Sequence, residues 1–194
     1  MKFILASGSP RRKEILENIS LEFEIMADES DEIMIEGEKP YDTVKRLAMQ
    51  KAKNIASRVE TGENTIVIGA DTVVSIDEKI LGKPKDEREA KDMLLTLSGR
   101  LNTVYTGLAV LETQSGKAVS EFVSTGVKFR SLSEKEIENY IKSGEPMDKA
   151  GAYGIQKIGG LFVESINGDY FNVVGLPLCR LGEILSEEFG INLI

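Results

Sequence analysis

Lys2-Phe3-Ile4-Leu5-Ala6-Ser7-Gly8-Ser9-Pro10-Arg11-Arg12-Lys13 sets the pattern of this chain. An apolar run starts at the second residue, breaks at Ser7-Gly8-Ser9, and resumes after Pro10 with Ile15, Leu16 and Ile19 at helical spacing. That order predicts a strand, a tight loop and a helix. Pro10 suits a first helical turn, and Gly8 and Ser9 leave backbone N–H groups at the positive helix end, where phosphates bind. Arg11 and Arg12 add guanidinium forks that match phosphate oxygens. The same residues also describe an ordinary capped helix with solvated arginines.

Outward from this unit, three further stretches carry chemistry. Thr65-Ile66-Val67-Ile68-Gly69-Ala70-Asp71-Thr72-Val73-Val74-Ser75-Ile76 reads as one or two central strands covered on both faces. An ionised Asp71 inside it needs a compensating cation, so it is either a structural salt bridge or part of a site. A helix is expected from Pro40 to about residue 59, with Val44, Leu47, Ala48, Lys51 and Ile55 on one face. Lys51 interrupts that stripe and either snorkels or points its ammonium at a buried anion. The second reading is favoured because Lys45, Arg46 and Lys53 already serve the solvent faces. Ala27-Asp28-Glu29-Ser30-Asp31-Glu32 is either a solvated acidic loop or a hard-cation site.

The rest alternates between elements. Residues 21–25 alternate like a half-buried strand. Leu81-Gly82-Lys83-Pro84 is a turn that carries another lysine, and residues 86–97 form a helix stopped at Gly99. Residues 103–111 and 118–123 are strands joined through Gln114-Ser115-Gly116-Lys117, with a further short strand at 127–129. Ser133 and Glu136 make a capping box for a helix ending at Ser143. Residues 145–156 form a glycine-rich loop of the kind that carries function. Short strands are expected at 161–163 and 171–175, then a closing helix with Leu178, Leu181, Ile184 and Leu185 inward. The sum is an α/β protein with a mixed β-sheet.

Composition narrows the chemistry. The chain has 194 residues, 41% hydrophobic and 29% charged, enough for one sizeable core. A net charge of −8 argues against nucleic acid or an anionic membrane as partner, while a small phosphorylated ligand needs only a local basic site. With no histidine, Ser-His and Cys-His schemes and His-ligated metals are excluded. The N-terminal apolar run is too short for a signal peptide's core, so a cytoplasmic location is expected. The single cysteine, Cys179, is expected to pack in the core.

Together, Ala6-Ser7-Gly8-Ser9-Pro10-Arg11-Arg12, Gly69-Ala70-Asp71-Thr72-Val73-Val74, Gly82-Lys83-Pro84, Asp148-Lys149-Ala150-Gly151-Ala152-Tyr153-Gly154-Ile155-Gln156 and Asn172-Val173-Val174-Gly175-Leu176-Pro177-Leu178 resemble the Maf family of nucleoside triphosphate pyrophosphatases. The resemblance covers nearly the whole chain. It implies one domain over residues 1–194, with a two-lobed α/β fold similar to inosine triphosphate pyrophosphatases around a central cleft, commonly as a homodimer. It implies cleavage of a nucleoside triphosphate to monophosphate and pyrophosphate with a divalent cation, Mg²⁺ or Mn²⁺. Asp71 matches the family's proposed proton acceptor. Glu32, or Asp31 one residue earlier, matches a metal-binding or catalytic carboxylate. Ser7, Arg12, Lys51 and Lys83 match residues that hold the triphosphate, which Arg11 is placed to join. Arg12, Thr72 and Gln156 match the specificity positions of members that act on dTTP and UTP; rotated, the Gln156 amide would also suit cytosine, so Gln156 alone leaves CTP and modified pyrimidine nucleotides open. Asn102 stands where many relatives have histidine.

Two other functions accompany this expectation. One is a nucleotide-binding regulator of septum formation and cell division, a role also associated with the family. The other is a pyrophosphatase for non-standard purine nucleotides.

Overall fold

β3 (Thr65–Ile76) is one continuous strand, and the parity of its side chains organises the protein. The computed structural model describes residues 1–28, 30, 32–60 and 64–194. β3 runs parallel to β1 (Lys2–Leu5), which is parallel in turn to β2 (Glu24–Ile25). On its other side β3 pairs antiparallel with β5 (Leu101–Glu112), followed by β6 (Ala118–Phe129) and β7 (Val163–Asn167), while β4 (Lys79–Leu81) folds back on the end of β3. The result is a mixed sheet of seven strands among the described residues.

One face of β3 presents Ile66, Ile68 and Ala70 to α1 (Pro10–Asn18) and α6 (Leu178–Phe189). Farther along the same face, Val74 and Ile76 pack with α3 (Glu87–Leu97) and α4 (Glu134–Lys142). β5 repeats the division, with Leu108 and Val110 in the first cluster and Val104 in the second. Between them lie two polar residues in register, Thr72 and Thr106. The polar interruption, repeated on two strands, separates the two apolar clusters on this face.

The opposite face carries α2 (Pro40–Ala56), whose Ala48, Ala52 and Ile55 pack on Val67, Ala109 and Leu111. Glycines set how closely it lies. A Cβ at Gly69 would stand 2.3 Å from the Ala48 carbonyl oxygen, and one at Gly107 would stand 2.0 Å from that of Val44. Helix backbone therefore rests directly on sheet backbone. Burying Leu47 and Ile55 contributes about 2 kcal/mol each, which offsets the cost of drawing Lys51 into the same stripe.

Several expected elements differ. Residues 171–175 are not a strand: Tyr170–Val174 is the short helix α5, because the Asp169 carboxylate accepts the Phe171 N–H at 2.7 Å and Gly175 ends the turn at φ 117°. Residues 161–162 lie in a 3-10 turn and the strand begins at Val163. Residues 127–129 belong to β6, which never breaks. Only Glu24–Ile25 pair in the 21–25 stretch, both exposed, and α2 stops at Ala56. Ile19 is exposed just past the end of α1. Cys179 is also exposed, since the inward stripe of α6 is Leu181, Ile184 and Leu185, and residue 179 falls outside it. The capping box of α4 forms as expected. Among the described residues no helix is long and apolar enough to cross a membrane.

Candidate active site

A cleft of about 870 Å³ opens beside the Thr72–Thr106 interruption. Ser7, Arg11, Arg12, Glu32, Lys51, Asp71, Thr72, Lys83 and Gln156, all singled out in the sequence, line it. Asp31 lies outside the described residues.

Asp71 and Thr72, adjacent on β3, point to opposite faces of the sheet. Asp71 meets α2, where the Lys51 ammonium donates to its Oδ1 at 2.6 Å. The same ammonium donates to Glu32 Oε1 at 2.6 Å, so one cation joins two carboxylates. Asp71 is thus part of a buried ion pair, and it also lines the cleft. Lys51 points at the buried anion and does not snorkel. Burial raises the Glu32 carboxyl, but the hydrogen bond and charge of Lys51, with Lys83 and Arg12 nearby, outweigh it and hold Glu32 below its usual range. The acidic run is therefore more than a solvated loop. Its Asp28 carboxylate is tied to Ser30 at 2.7 Å and to Asn54 at 3.1 Å.

On the other face Thr72 meets α1 through Arg12, which is 8% exposed. Its guanidinium donates from Nη1 to Ser7 Oγ at 2.9 Å, from Nη2 to Thr72 Oγ1 at 3.1 Å and from Nε to the Gly175 carbonyl at 2.7 Å. Burial lowers its pKa and the charge of Asp71 opposes that shift; an arginine stays protonated regardless. All three acceptors are neutral, so the buried cation is hydrogen-bonded but meets negative charge only at longer range, from Asp71 and Glu32. Arg11 reaches across to Asp148 at 3.2 Å, and Lys83 stands exposed on the wall. Gln156 is exposed in the cleft, and its amide has no hydrogen-bond partner among the described residues.

Sequence reasoning missed the buried partners behind these groups. Thr106 Oγ1 lies 3.0 Å from Thr72 Oγ1 and donates to the Asn172 carbonyl at 2.9 Å, while the Asn172 amide donates to Val104 O at 3.1 Å and Thr125 Oγ1 at 2.9 Å. Thr106 sits in an ordinary-looking strand pattern, and Asn172, although it opens one of the matching segments, carries no local sign of these partners. Asn102, where relatives carry histidine, is buried and donates to Val127 O at 2.9 Å while accepting from the Tyr153 hydroxyl at 3.2 Å. Asn102 itself does not line the cleft, but Tyr153 does, so its role is to hold a wall residue from behind.

The cleft thus sets two carboxylates, joined by Lys51, against a basic wall, a charge pattern suited to a phosphorylated ligand. Among known proteins, the Maf-like protein family model matches residues 2–188. The dTTP/UTP pyrophosphatase of Clostridioides difficile (strain 630) is 55% identical over 100% of this chain and 98% of its own. That of Alkaliphilus metalliredigens (strain QYMF) is 50% identical over 100% of this chain and 99% of its own. The solved structure of the Staphylococcus aureus Ham1 protein covers 66% of this chain and 72% of its own with a TM-score of 0.46 and 11% identity. By the family model and these full-length identities, the chain belongs to the Maf family.

Proposed function

We propose that this protein hydrolyses dTTP and UTP to the nucleoside monophosphate and pyrophosphate. The observation that carries the reading is the convergence of Asp71, Glu32 and Lys51 with the Arg12 cradle and Gln156 in one cleft. The names of relatives at 50% identity and above agree with it. One domain with two lobes around the cleft, and a homodimer, belong to the same proposal.

Asp71 and Glu32 would hold a divalent cation. Both carboxylates already face one cation, the Lys51 ammonium, and their oxygens are of the kind that would suit Mg²⁺ or Mn²⁺. Such a cation supplies charge neutralisation for the triphosphate and acidifies water. Asp71 accepts the proton of the water that attacks the α-phosphorus, and pyrophosphate leaves. Lys51 bonds only Oδ1, so Oδ2 remains for that proton. Arg11, Arg12, Lys51 and Lys83 stabilise charge on the transferring and departing phosphates, with Ser7 and Thr72 fixing the Arg12 fork. Gln156 reads the base: its amide offers a donor and an acceptor side by side, complementary to the O4 acceptor and N3–H donor of uracil or thymine.

Product analysis tests the reading. Purified protein with Mg²⁺ or Mn²⁺ and a panel of nucleoside triphosphates is expected to yield monophosphate and pyrophosphate from dTTP and UTP, with purines spared. Hydrolysis of non-standard purine nucleotides instead would overturn the specificity. Folded protein that binds nucleotides without turnover would favour a regulator.

A further inference from the structure

Gln156 sits at the tip of a narrow loop whose two arms touch. A Cβ at Gly159 would stand 2.7 Å from the Gly154 carbonyl oxygen, and one at Gly160 would stand 2.5 Å from that of Ile155. Only glycine permits that approach, so residues 155–157 are presented on a pinched stem. The stem is tied from behind. The Tyr140 hydroxyl accepts the Gly154 N–H at 3.2 Å on the outgoing arm. On the returning arm the Glu145 carboxylate accepts the Ile158 N–H on Oε2 and the Gly159 N–H on Oε1, each at 3.2 Å. The hydroxyl of Tyr140 donates to Glu145 Oε1 at 3.0 Å, which joins the two ties into one.

The tie has a rigid seat. Tyr140 is 2% exposed, on the inward face of α4, and its ring packs edge-on against Phe162 at 4.9 Å between centroids. Glu145 opens the next turn, and its carbonyl accepts the Lys149 ammonium at 2.7 Å. The stem of the Lys149 side chain lies against Gly154. Neither Tyr140 nor Glu145 lines the cleft. Their hydrogen bonds end on the arms of the loop, two residues before Gln156 and two and three residues after it.

We infer that Glu145 and Tyr140 are positioning residues for base selection, holding the Gln156 amide at a fixed place and angle so that it discriminates a uracil-type edge from a cytosine-type edge. This rests on the proposed reading of Gln156 as the base contact. An amide on a loose loop rotates to suit either edge, because exchanging its donor and acceptor converts one pattern into the other. Selectivity therefore needs a held backbone as well as the right residue.

The test is the ratio of kcat/KM for UTP to that for CTP in the parent, Q156A, E145Q, Y140F and the double variant E145Q/Q156A. The ratio is expected to fall roughly tenfold in E145Q and Y140F, the scale of one well-placed hydrogen bond, with the loss for UTP carried by KM more than by kcat. In the Q156A background E145Q is expected to change the ratio no further, since it acts through that side chain. Equal losses for UTP and CTP, or a full E145Q effect without Gln156, would overturn the inference and leave the tie purely structural. A parent that releases no pyrophosphate from UTP would instead remove the function itself. Amide hydrogen exchange on the parent guards against variants that fail to fold: UMP is expected to slow exchange at Ile158 and Gly159, whereas inorganic tripolyphosphate does not. No slowing by UMP would count against the inference.

Discussion

Thr72 and Thr106 face each other across β3 and β5, their hydroxyl oxygens 3.0 Å apart, at the point where two apolar clusters on one face of the sheet part. Thr72 also accepts from Arg12, and Thr106 donates to the Asn172 carbonyl. A buried line of hydrogen bonds thus runs from the cleft wall into the core. T106V is expected to lower stability by about 1 kcal/mol, because the Asn172 carbonyl loses a donor, and to lower kcat/KM by loosening Arg12. Urea unfolding and steady-state kinetics on the one variant check both.

Asp71 is proposed as the proton acceptor. D71A is expected to lower turnover by at least ~100-fold with the fold intact. Single-turnover release of pyrophosphate, alongside a circular dichroism melt, measures it; activity near that of the parent would remove Asp71 from the mechanism.

Gly69 and Gly182 should respond in opposite directions to the same change. A Cβ at Gly69 meets the Ala48 carbonyl, so G69A is expected to cost about 3 kcal/mol and to lift α2, carrying Lys51 away from Asp71. Gly182 lies within α6 with nothing near its missing Cβ, so G182A is expected to add about 1 kcal/mol. Thermal melts of the two variants settle the signs.

Glu136 gives a pH signature. A hydrogen bond from Arg130, with those of the Ser133 backbone and hydroxyl, lowers its carboxyl from 4.5 to about 2. A depressed folded pKa means stability fully present above 4.5 and lost as pH falls toward about 2. The parent is therefore expected to exceed E136Q in urea midpoint near neutral pH, with the gap closing across that window. A gap unchanged at low pH would show that the charge contributes nothing.

The β4 turn holds a stability reserve. Asp77 and Glu78 both have positive φ, 51° and 63°, in the tight turn from β3. E78G is expected to gain about 1 kcal/mol from the backbone, less the small contribution of the exposed Lys39–Glu78 pair at 3.0 Å, which solvent screens. Differential scanning calorimetry reads the net rise.

Much of this was legible in the sequence because the signals were local. The break at Ser7-Gly8-Ser9, Lys51 inside an apolar stripe and Asp71 inside an apolar strand each violate a local pattern, and each lies in the cleft. The helix at Tyr170–Val174 was misread because Phe171-Asn172-Val173-Val174 has strand-like composition, whereas the Asp169 cap and the stop at Gly175 decide its backbone. The hydrogen bonds of Thr106, Asn172 and Glu145 were not legible, because their partners lie far away in sequence or on backbone groups. Each fits its own element without conflict, so only the tertiary structure reveals what it holds.

Mechanically, β3 behaves as a beam with two fastenings at its middle, one on each side. Asp71 fastens α2 through Lys51 and Thr72 fastens α1 through Arg12, and consecutive strand residues are only about 3.3 Å apart. A twist of the beam at that point turns both fastenings together. The acid side and the basic side of the cleft are therefore hung from neighbouring residues of one strand, and their spacing is set by its backbone.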